Sequence, residues 1–157
     1  MQPLPGTYTL ILFSSDEKPV KIGKLGTLLL QPGFYVYIGS AFGPGGLKAR
    51  TRHHLKKSNR PHWHIDYLAP ALKLHEIWYT HDPIRREHQW AEIHAGTRGA
   101  SMPLPGFGSS DCSCRSHLYF YQSPPSGKHF RRKIRSKLAN HAGFMIAASK
   151  NFLTNSL

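Results

Sequence analysis

The sequence predicts one small domain of the mixed α/β class, and three observations support this prediction. The chain has 157 residues, which is the length of a single domain with a modest extension. Its first 40 residues contain short strand-like runs separated by glycine, proline and polar turns. From Leu47 onward, segments with helical spacing alternate with further strand-like runs.

Four strands are predicted in the first 40 residues, because β-branched and aromatic runs there are bounded by glycine or turn residues. Their ranges are Thr7–Phe13, Lys18–Gly23, Lys24–Leu30 and Phe34–Ser40. The last of these is predicted to be the central strand, and a glycine-rich loop follows it from Ala41 to Gly46. A strand, a glycine loop and a basic helix in this order commonly present backbone N–H groups and cations to a phosphate.

Helices and strands alternate in the rest of the chain. The predicted helices are Leu47–Lys57, His62–Leu68 and Pro83–Ala95, and the predicted strands are Leu74–Thr80 and His117–Gln122. Asp82 is expected to be the N-cap of the third helix, with Pro83 as its first residue. A loop as long as Gly96–Ser116 is typical of a functional or disordered segment.

We expect residues 1–122 to form the domain and residues 123–157 to form a basic C-terminal extension. The extension contains a strongly basic segment, His129–His141, that is compatible with a helix. Beyond this segment, apolar and polar residues mix without a clear period. That pattern fits either a helix packed on the domain or a loose tail.

The composition is strongly basic, with 21 Lys and Arg against 8 Asp and Glu and a formal net charge of +13. This imbalance favours nucleic acid as the partner, with an acidic membrane surface second; a charge that serves only solubility stays open. The N-terminal residues lack the pattern of a signal peptide, and no apolar run approaches the ~20 residues of a membrane span.

Cys112 and Cys114 are the only cysteines, and they are two residues apart. Residues this close rarely have the Cα geometry of a disulfide, so the sequence indicates no disulfide framework. Such cysteine usage is typical of a reducing compartment. We therefore expect a cytoplasmic protein that does not enter a membrane.

Arg50 and His54 are four residues apart in the first predicted helix, so both side chains lie on one helix face. A guanidinium in that position can bind a phosphate bidentately. The predicted buried stripe of this helix is Leu47, Thr51 and Leu55, and its exposed cationic ladder is Lys48, Arg52 and Lys56. The alternative is that Arg50 and His54 are solvated members of a basic helix.

Glu87 lies near the buried side of the third predicted helix, because Ile84 and Ala91 flank it at i−3 and i+4. A single partly buried carboxylate among many cations suits Mg²⁺, which often takes one or two carboxylates together with waters and phosphate oxygens. The alternative is that Glu87 pairs with Arg86 or another surface cation.

Tyr8 and Tyr37 each lie in a predicted strand close to a glycine. A phenol can act as a general base or orient a water molecule if neighbouring cations lower its pKa. The alternative, which is common for tyrosines in strands, is that both belong to the core and keep only a hydrated hydroxyl.

Two segments are rich in potential zinc ligands, since zinc favours Cys and His in groups of four. The residues concerned are His62, His64, Asp66, Cys112, Cys114 and His117. Their spacing does not match a standard zinc knuckle. The alternative is that these side chains line a substrate cleft and form hydrogen bonds with one another.

Together these residues resemble the GIY-YIG endonuclease superfamily, and more closely its Uri-type stand-alone branch. The first tripeptide of the superfamily appears as Gly6-Thr7-Tyr8 and the second as Tyr37-Ile38-Gly39. The basic helix follows with its arginine and histidine at Arg50 and His54, and the metal-binding glutamate corresponds to Glu87.

The resemblance covers residues 6–122 and includes two phrases similar to the Uri-type branch, at His62–Leu68 and Gly106–Leu118. The sequence departs from the usual pattern in two ways. The tripeptides usually lie within one hairpin, whereas Lys18–Leu30 intervenes here and is interpreted as an inserted strand pair. No residue matches the asparagine that often follows the glutamate helix, and the candidate substitutes are Ser109, Ser110 and Asp111.

The resemblance implies an α+β fold, with a small antiparallel sheet flanked by helices, and hydrolysis of a DNA phosphodiester with one Mg²⁺ or Mn²⁺ ion. In this scheme Glu87 holds the metal, and Arg50 neutralises charge that develops on the phosphate. Tyr37 or Tyr8 positions or deprotonates the attacking water, with His54 assisting proton transfer.

Further residues are expected to contact DNA without selecting its sequence, mainly through phosphates. They are Gly39, Ser40, Lys48, Arg52, His62, His64, Arg131, Arg132 and Lys133. Two other functions stay open at this stage. One is a nucleic-acid-binding module that keeps the fold without catalysis. The other is a zinc-binding structural or adaptor protein built on the loop that contains Cys112 and Cys114.

Overall fold

The structure is a computed structural model that describes residues 1–56, 60–110 and 112–153. The strands within these ranges are β1 (Gly6–Ser14), β2 (Lys18–Ile22), β3 (Gly26–Leu30), β4 (Gly33–Ala41), β5 (Lys73–Thr80), β6 (Leu118–Tyr121) and β7 (Met145–Ala148). The helices are α1 (Gly46–Leu55), α2 (His64–Leu68), α3 (Glu87–Ala95), α4 (Gly127–Lys137) and α5 (Lys150–Leu153). A short 3₁₀ turn, Ala69–Ala71, follows α2.

Five strands form the main sheet in the order β6-β4-β1-β5-β7, and every neighbouring pair is antiparallel. The predicted class, an antiparallel sheet flanked by helices, is confirmed. The central strand is β1 rather than β4, because β1 pairs with β4 along one edge and with β5 along the other. The predicted insertion forms a separate two-stranded sheet of β2 and β3.

The register of β1 and β4 brings the two tripeptides together despite the insertion between them. Tyr8 lies opposite Gly39, and Leu10 lies opposite Tyr37. Because side chains alternate along a strand, Tyr8 and Tyr37 project from the same face of the sheet. This is the pairing that the resemblance requires.

Each face of the main sheet has its own hydrophobic core. The first core joins Tyr8, Leu10 and Tyr37 to apolar side chains of α1, α2 and the β2–β3 sheet. The second core includes Trp78, and α3 and α4 cover it with aromatic and aliphatic side chains such as Trp90. The candidate catalytic tyrosines therefore belong to the first face.

Two helices differ from their predicted form. The third predicted helix, α3, begins at Glu87 instead of Pro83, because the Asp82 carboxylate stabilises the preceding turn rather than capping the helix. It accepts a hydrogen bond from the backbone N–H of Ile84 (2.9 Å) and forms an ion pair with Arg86 (3.1 Å). Ile84, predicted to flank Glu87 on the buried side, is 55% exposed.

The first predicted helix, α1, ends at Leu55, and Lys57 lies outside the described residues. Leu47 and Thr51 are buried as predicted, but Leu55 is 38% exposed and His54 takes its place in the buried stripe. The polar His54 is tolerated there because it has two hydrogen-bonding partners within the protein.

The segment after residue 122 contributes to the same sheet and core. Ser126 is the N-cap of helix α4, and its hydroxyl accepts a hydrogen bond from the His129 backbone N–H (3.2 Å). Phe130 of α4 packs in the second core, and β7 pairs with β5 at the edge of the sheet. None of the helices in the described part of the chain is long and apolar enough to cross a membrane.

Candidate active site

Tyr8 and Tyr37 form the centre of the candidate active site, with their ring centroids 6.2 Å apart. Gly39 makes room for the ring of Tyr8, since a Cβ atom at Gly39 would lie 2.5 Å from the Tyr8 hydroxyl oxygen. The planes of the two rings are inclined at 60° to each other. Tyr8 is fully buried, whereas Tyr37 retains 8% exposure and is the phenol nearer to solvent.

A hydrogen-bonded chain leads from Tyr8 through His54 to Asp66. The Tyr8 hydroxyl is 2.7 Å from Nε2 of His54, and Nδ1 of His54 is 3.2 Å from Oδ1 of Asp66. The second carboxylate oxygen, Oδ2, accepts the backbone N–H groups of His62 and Trp63, both at 2.9 Å. Asp66 therefore caps the start of α2 and orients the imidazole of His54 at the same time.

The environment sets the protonation state of this chain. Burial acts to raise the pKa of Asp66, but hydrogen bonds from His54 and from the capped backbone amides outweigh it and hold that pKa well below its usual range. Burial lowers the pKa of His54 despite the opposing effect of Asp66. Near neutral pH, a carboxylate then accepts Nδ1–H of a neutral imidazole, whose Nε2 accepts the hydroxyl proton of Tyr8.

Burial raises the pKa of Tyr8 and of Tyr37, so both phenols are protonated near neutral pH. The charge of Arg50 acts to lower both pKa values, as expected for phenols among cations, but burial is the larger effect. The arrangement therefore favours phenols that pass a proton along hydrogen bonds over a phenolate that exists in advance.

Arg50 approaches the tyrosine pair from α1, one helical turn before His54. Its guanidinium carbon lies 4.4 Å from the centroid of the Trp63 ring, and Nη1 donates to the Ser40 carbonyl oxygen at 3.3 Å. Stacking and this hydrogen bond restrict the guanidinium while leaving most of its N–H donors without a protein acceptor among the described contacts. These N–H groups are available to an anionic ligand.

Glu87 approaches the same phenols from the first residue of α3. After burial, the charge of Glu87 is the strongest influence raising the pKa of Tyr37, and it also raises the pKa of Tyr8. Its side chain is 17% exposed, and Oε1 lies 3.8 Å from Nε2 of His88. Of the five predicted catalytic residues, Tyr8, Tyr37 and His54 are therefore in contact, and the charges of Arg50 and Glu87 act on both phenols.

The environment of Glu87 fits a hard divalent cation. Its carboxylate is partly accessible, so water and phosphate oxygens can fill the other positions around Mg²⁺, which commonly takes few protein ligands. Glu87 does not belong to either group of three or more metal-ligating side chains within the described ranges. Three residues were considered as substitutes for the asparagine. Ser109 is partly exposed, Ser110 is exposed, and Asp111 lies outside the described residues.

The residues predicted to contact DNA fall into several environments. On α1, Lys48 and Arg52 are exposed. Gly39 is buried beneath Tyr8, whereas the Ser40 hydroxyl is 3.5 Å from an N–H group of Arg85. Gly39 therefore serves the packing of the site, and its predicted contact with DNA stays a prediction.

The two histidines next to α2 also differ. His62 is exposed and packs its ring edge to face with Trp63 at 4.7 Å between centroids. His64 accepts a hydrogen bond from the Gly108 backbone N–H (2.8 Å) and so fastens the loop before β6 to α2. His62 is therefore the more exposed of the two, and His64 is only partly exposed.

The predicted basic residues of α4 belong to the opposite side of the sheet. Helix α4 packs on the second core, whereas the tyrosine pair lies in the first. Arg131 donates to the Phe144 carbonyl oxygen (3.4 Å), and Lys133 donates to the Thr97 hydroxyl (2.9 Å). Arg132 is exposed.

The six predicted zinc ligands do not form one cluster. Asp66 groups with His53 and His54, whereas Cys112, Cys114 and His117 group with His88, and within each group the ligand atoms all lie within 4.8 Å of one another. His62 and His64 belong to neither group. The combination of the two segments into one zinc site is therefore wrong for His62, His64 and Asp66.

Three residues near the site were not assigned their observed roles from the sequence. Asp66 was considered as a metal ligand or as a hydrogen-bonding residue of the cleft but not as a helix cap, although an acidic residue three positions after the N-cap of a helix is a signal for capping. Arg85 stacks on Phe42 at 4.7 Å and reaches Ser40. His88 had no sequence signal beyond its position next to Glu87.

Comparison with known proteins identifies a family but no individual relative. Residues 7–140 match a family model described as Domain of unknown function DUF123. This range includes every side chain of the candidate active site and both groups of potential metal ligands. No curated protein and no solved structure matches the chain.

Proposed function

We propose that this chain, which belongs to the DUF123 family, is a divalent-metal-dependent endonuclease that hydrolyses DNA phosphodiester bonds. One observation carries the proposal: an arginine from α1 and a carboxylate from α3 both act on the phenols of Tyr8 and Tyr37. Packing alone does not require opposite charges at one pair of phenols. Metal-assisted hydrolysis of a phosphodiester needs a carboxylate that binds the metal ion and a cationic group that binds the phosphate, and the two must lie close together.

The hydrogen-bonded chain provides a route for the proton of the attacking water. Tyr37, the more accessible phenol, would accept that proton as water attacks phosphorus and would pass its own proton to Tyr8, whose ring centroid lies 6.2 Å from that of Tyr37. The proton of Tyr8 passes in turn to Nε2 of His54. The Asp66 carboxylate then stabilises the imidazolium, so the route does not require a free phenolate beforehand.

Arg50 is the group best placed to stabilise charge on the phosphate. Its guanidinium is held between the Trp63 ring and the Ser40 carbonyl group, which leaves a fixed set of N–H donors. A planar donor with little freedom to reorient suits the oxygens of a phosphate whose charge increases during attack.

Glu87 would hold the divalent cation. Bound there, Mg²⁺ or Mn²⁺ would polarise the phosphate and stabilise the leaving oxygen. The charges of Glu87 and Arg50 both act on the phenol of Tyr37, so a phosphate beside that phenol would have a cation ligand and a guanidinium near it. This division of roles agrees with that implied by the resemblance to GIY-YIG endonucleases.

The net charge of +13 supports a polyanionic substrate. Lys48 and Arg52 are exposed on the helix that carries Arg50. Arg85, in the turn before α3, places its guanidinium 3.5 Å from the hydroxyl of Ser40 near the end of β4. These cations would contact phosphates on either side of the scissile bond. The affinity for DNA is therefore expected to fall steeply as salt increases.

The test uses purified full-length protein with Mg²⁺ or Mn²⁺ and a panel of single-stranded, double-stranded and branched DNA. We expect cleavage of at least one substrate, and Glu87→Gln should lower its rate by at least ~100-fold, equivalent to about 3 kcal/mol of transition-state stabilisation. Arg50→Ala should have a similar effect. Glu92→Gln, at an exposed position of the same helix, is the matched control and should cleave normally.

Two results would count against the proposal. If the wild-type protein leaves every substrate intact with both metals, the endonuclease hypothesis is wrong. Salt-sensitive binding without cleavage would then favour the non-catalytic nucleic-acid-binding module. If the protein cleaves but Glu87→Gln and Arg50→Ala cleave at the wild-type rate, the site lies elsewhere.

A further inference from the structure

We propose that His88, Cys112, Cys114 and His117 bind one zinc ion with four protein ligands. Their ligand atoms all lie within 4.8 Å of one another, although they come from two separate parts of the chain. His88 follows the first residue of α3, the two cysteines lie in the loop before β6, and His117 directly precedes β6. The four ligands do not include Glu87 or the phenols, so the proposal can be tested without an assay of nuclease activity.

The distances match a tetrahedral zinc site. With Zn–S and Zn–N bonds of about 2.3 and 2.0 Å, the sulfur and nitrogen corners of a tetrahedron are about 3.5 Å apart. Sγ of Cys112 is 3.4 Å from Nε2 of His117, and Sγ of Cys114 is 2.9 Å from Nδ1 of His88. The first distance matches, and the second needs only a small outward movement of the exposed His88.

Both imidazoles have partners that orient them for metal binding. Ligating histidines usually direct their other ring nitrogen to a carboxylate or a backbone carbonyl. His88 presents Nδ1 to Cys114, and its Nε2 is 3.8 Å from Oε1 of Glu87. The backbone carbonyl of His117 accepts the Ile38 N–H at 2.9 Å, which holds this residue against β4, and Nε2 of its ring faces Cys112.

The composition of the site favours zinc over other divalent ions. Two thiolates and two imidazoles are the usual ligands of structural zinc, whereas Mg²⁺ prefers oxygen. Because all four positions are filled by protein, the ion would be structural rather than catalytic. A disulfide between Cys112 and Cys114 is the main alternative state of the thiols, but the cysteines are two residues apart and both are free in the structure.

A zinc ion here would fix the loop before β6 against the start of α3. The loop is also attached through Phe107, which is buried, and through the Gly108 contact with His64. The ion would add a third attachment next to the turn that carries Glu87. The second group, His53, His54 and Asp66, is a weaker candidate because Asp66 already accepts two backbone amides and His54 already contacts Tyr8.

The test measures metal content in the full-length protein after reconstitution with zinc and removal of unbound ion. We expect about one zinc ion per chain by mass spectrometry of the metal. Both thiols should react slowly with a thiol reagent until a chelator is added. Replacement by Co²⁺ should give the visible absorption of a tetrahedral thiolate site, which reports the ligands directly.

Variants identify the ligands. Cys112→Ser, Cys114→Ser and His88→Asn should each lose zinc on dialysis, whereas His53→Asn, from the second group, should retain it. If a variant fails to fold, the cobalt spectrum and thiol protection of the wild-type protein still decide the matter. Absence of stoichiometric zinc, freely reactive thiols or a Cys112–Cys114 disulfide in the wild type would overturn the proposal, as would zinc that persists in the cysteine variants. None of these measurements depends on DNA cleavage.

Discussion

Asp66→Asn is the change that tests the proposed proton route most directly. Asparagine has nearly the same shape as aspartate, and its amide oxygen can still accept the backbone N–H groups of His62 and Trp63. Its NH₂ group would then face Nδ1 of His54, where the wild-type protein has a carboxylate oxygen at 3.2 Å. Two N–H donors cannot share one hydrogen bond, so the imidazole must move its proton from Nδ1 to Nε2.

The consequence is a reversal of the hydrogen bond between His54 and Tyr8. Nε2, which is 2.7 Å from the Tyr8 hydroxyl, becomes a donor and can no longer accept a proton from it. A positioned general base contributes about 10²–10⁴-fold, so kcat should fall by that factor, which corresponds to about 3–5 kcal/mol. The free energy of unfolding should fall by about 1–3 kcal/mol, because one hydrogen bond to a charged group is lost.

The assay combines nuclear magnetic resonance with kinetics. Nitrogen chemical shifts of the His54 ring identify which nitrogen carries the proton, and we expect Nδ1 in the wild type and Nε2 in Asp66→Asn. The pKa of His54 should also fall below its already lowered wild-type value, because the hydrogen bond and charge of Asp66 both raise it. DNA affinity should change little, since neither residue contacts the phosphate in this scheme.

His53→Gln is the matched control, because His53 also contacts Asp66 (3.5 Å) but its side chain is 41% exposed and does not touch Tyr8. We expect less than a ~3-fold change in kcat from it, equivalent to under about 1 kcal/mol. A wild-type His54 with its proton on Nε2 would refute the assigned hydrogen-bond directions without any kinetic measurement. An Asp66→Asn variant with wild-type kcat would show that catalysis does not use this route.

Two further predictions concern stability. Gly39→Ala should destabilise the fold by about 1–3 kcal/mol in urea denaturation, because the new methyl group overlaps the immobile ring of Tyr8. The control is Gly43→Ala, where no atom lies within 4 Å of the added methyl group. Equal losses of stability in the two variants would contradict the argument. Burial lowers the pKa of His94 to about 3. As the pH falls below 6.5, the unfolded chain therefore binds a proton at His94 while the native protein does not. The free energy of unfolding then decreases as the pH falls. Between pH 6.5 and 4.5 the loss amounts to about 2 kcal/mol, which His94→Phe should abolish and exposed His129→Phe should not. An unchanged pH profile in His94→Phe would contradict this prediction.

The strands were predictable from sequence because their signals are local. Each of the four N-terminal strands lies within two residues of its predicted bounds, since glycine and turn residues mark the ends of β-branched runs. Helix α3 was placed four residues too early at its start because Asp82 and Pro83 form a good capping pattern. The Asp82 carboxylate has stronger partners in Arg86 and in the distant backbone of Ala142, which the local pattern does not contain.

The residues of the candidate active site were predictable from the sequence, but the way in which they are arranged was not. Tyr8 and Tyr37 are 29 positions apart, and their contact depends on the register of β1 and β4 across an inserted sheet. Burial of His54 in place of Leu55 depends on its hydrogen bonds with Tyr8 and Asp66, which an apolar pattern on one helix cannot indicate. His88 joins the cysteines only when the long loop folds back on α3.

The end of β4 touches several parts of the two proposed sites. Tyr37 contacts Tyr8, and the backbone N–H of Ile38 donates to the carbonyl of His117, the last proposed zinc ligand (2.9 Å). Gly39 leaves room for Tyr8, and the next residue, Ser40, accepts the guanidinium of Arg50 through its carbonyl group. Because alternate residues of a strand reach opposite faces and its backbone reaches both neighbours, four consecutive residues couple the phenols, the arginine and the cysteine loop. A substitution in this segment therefore disturbs several groups at once. The roles of individual side chains are best separated by double-mutant cycles between residues outside the segment, such as Tyr8 and His54.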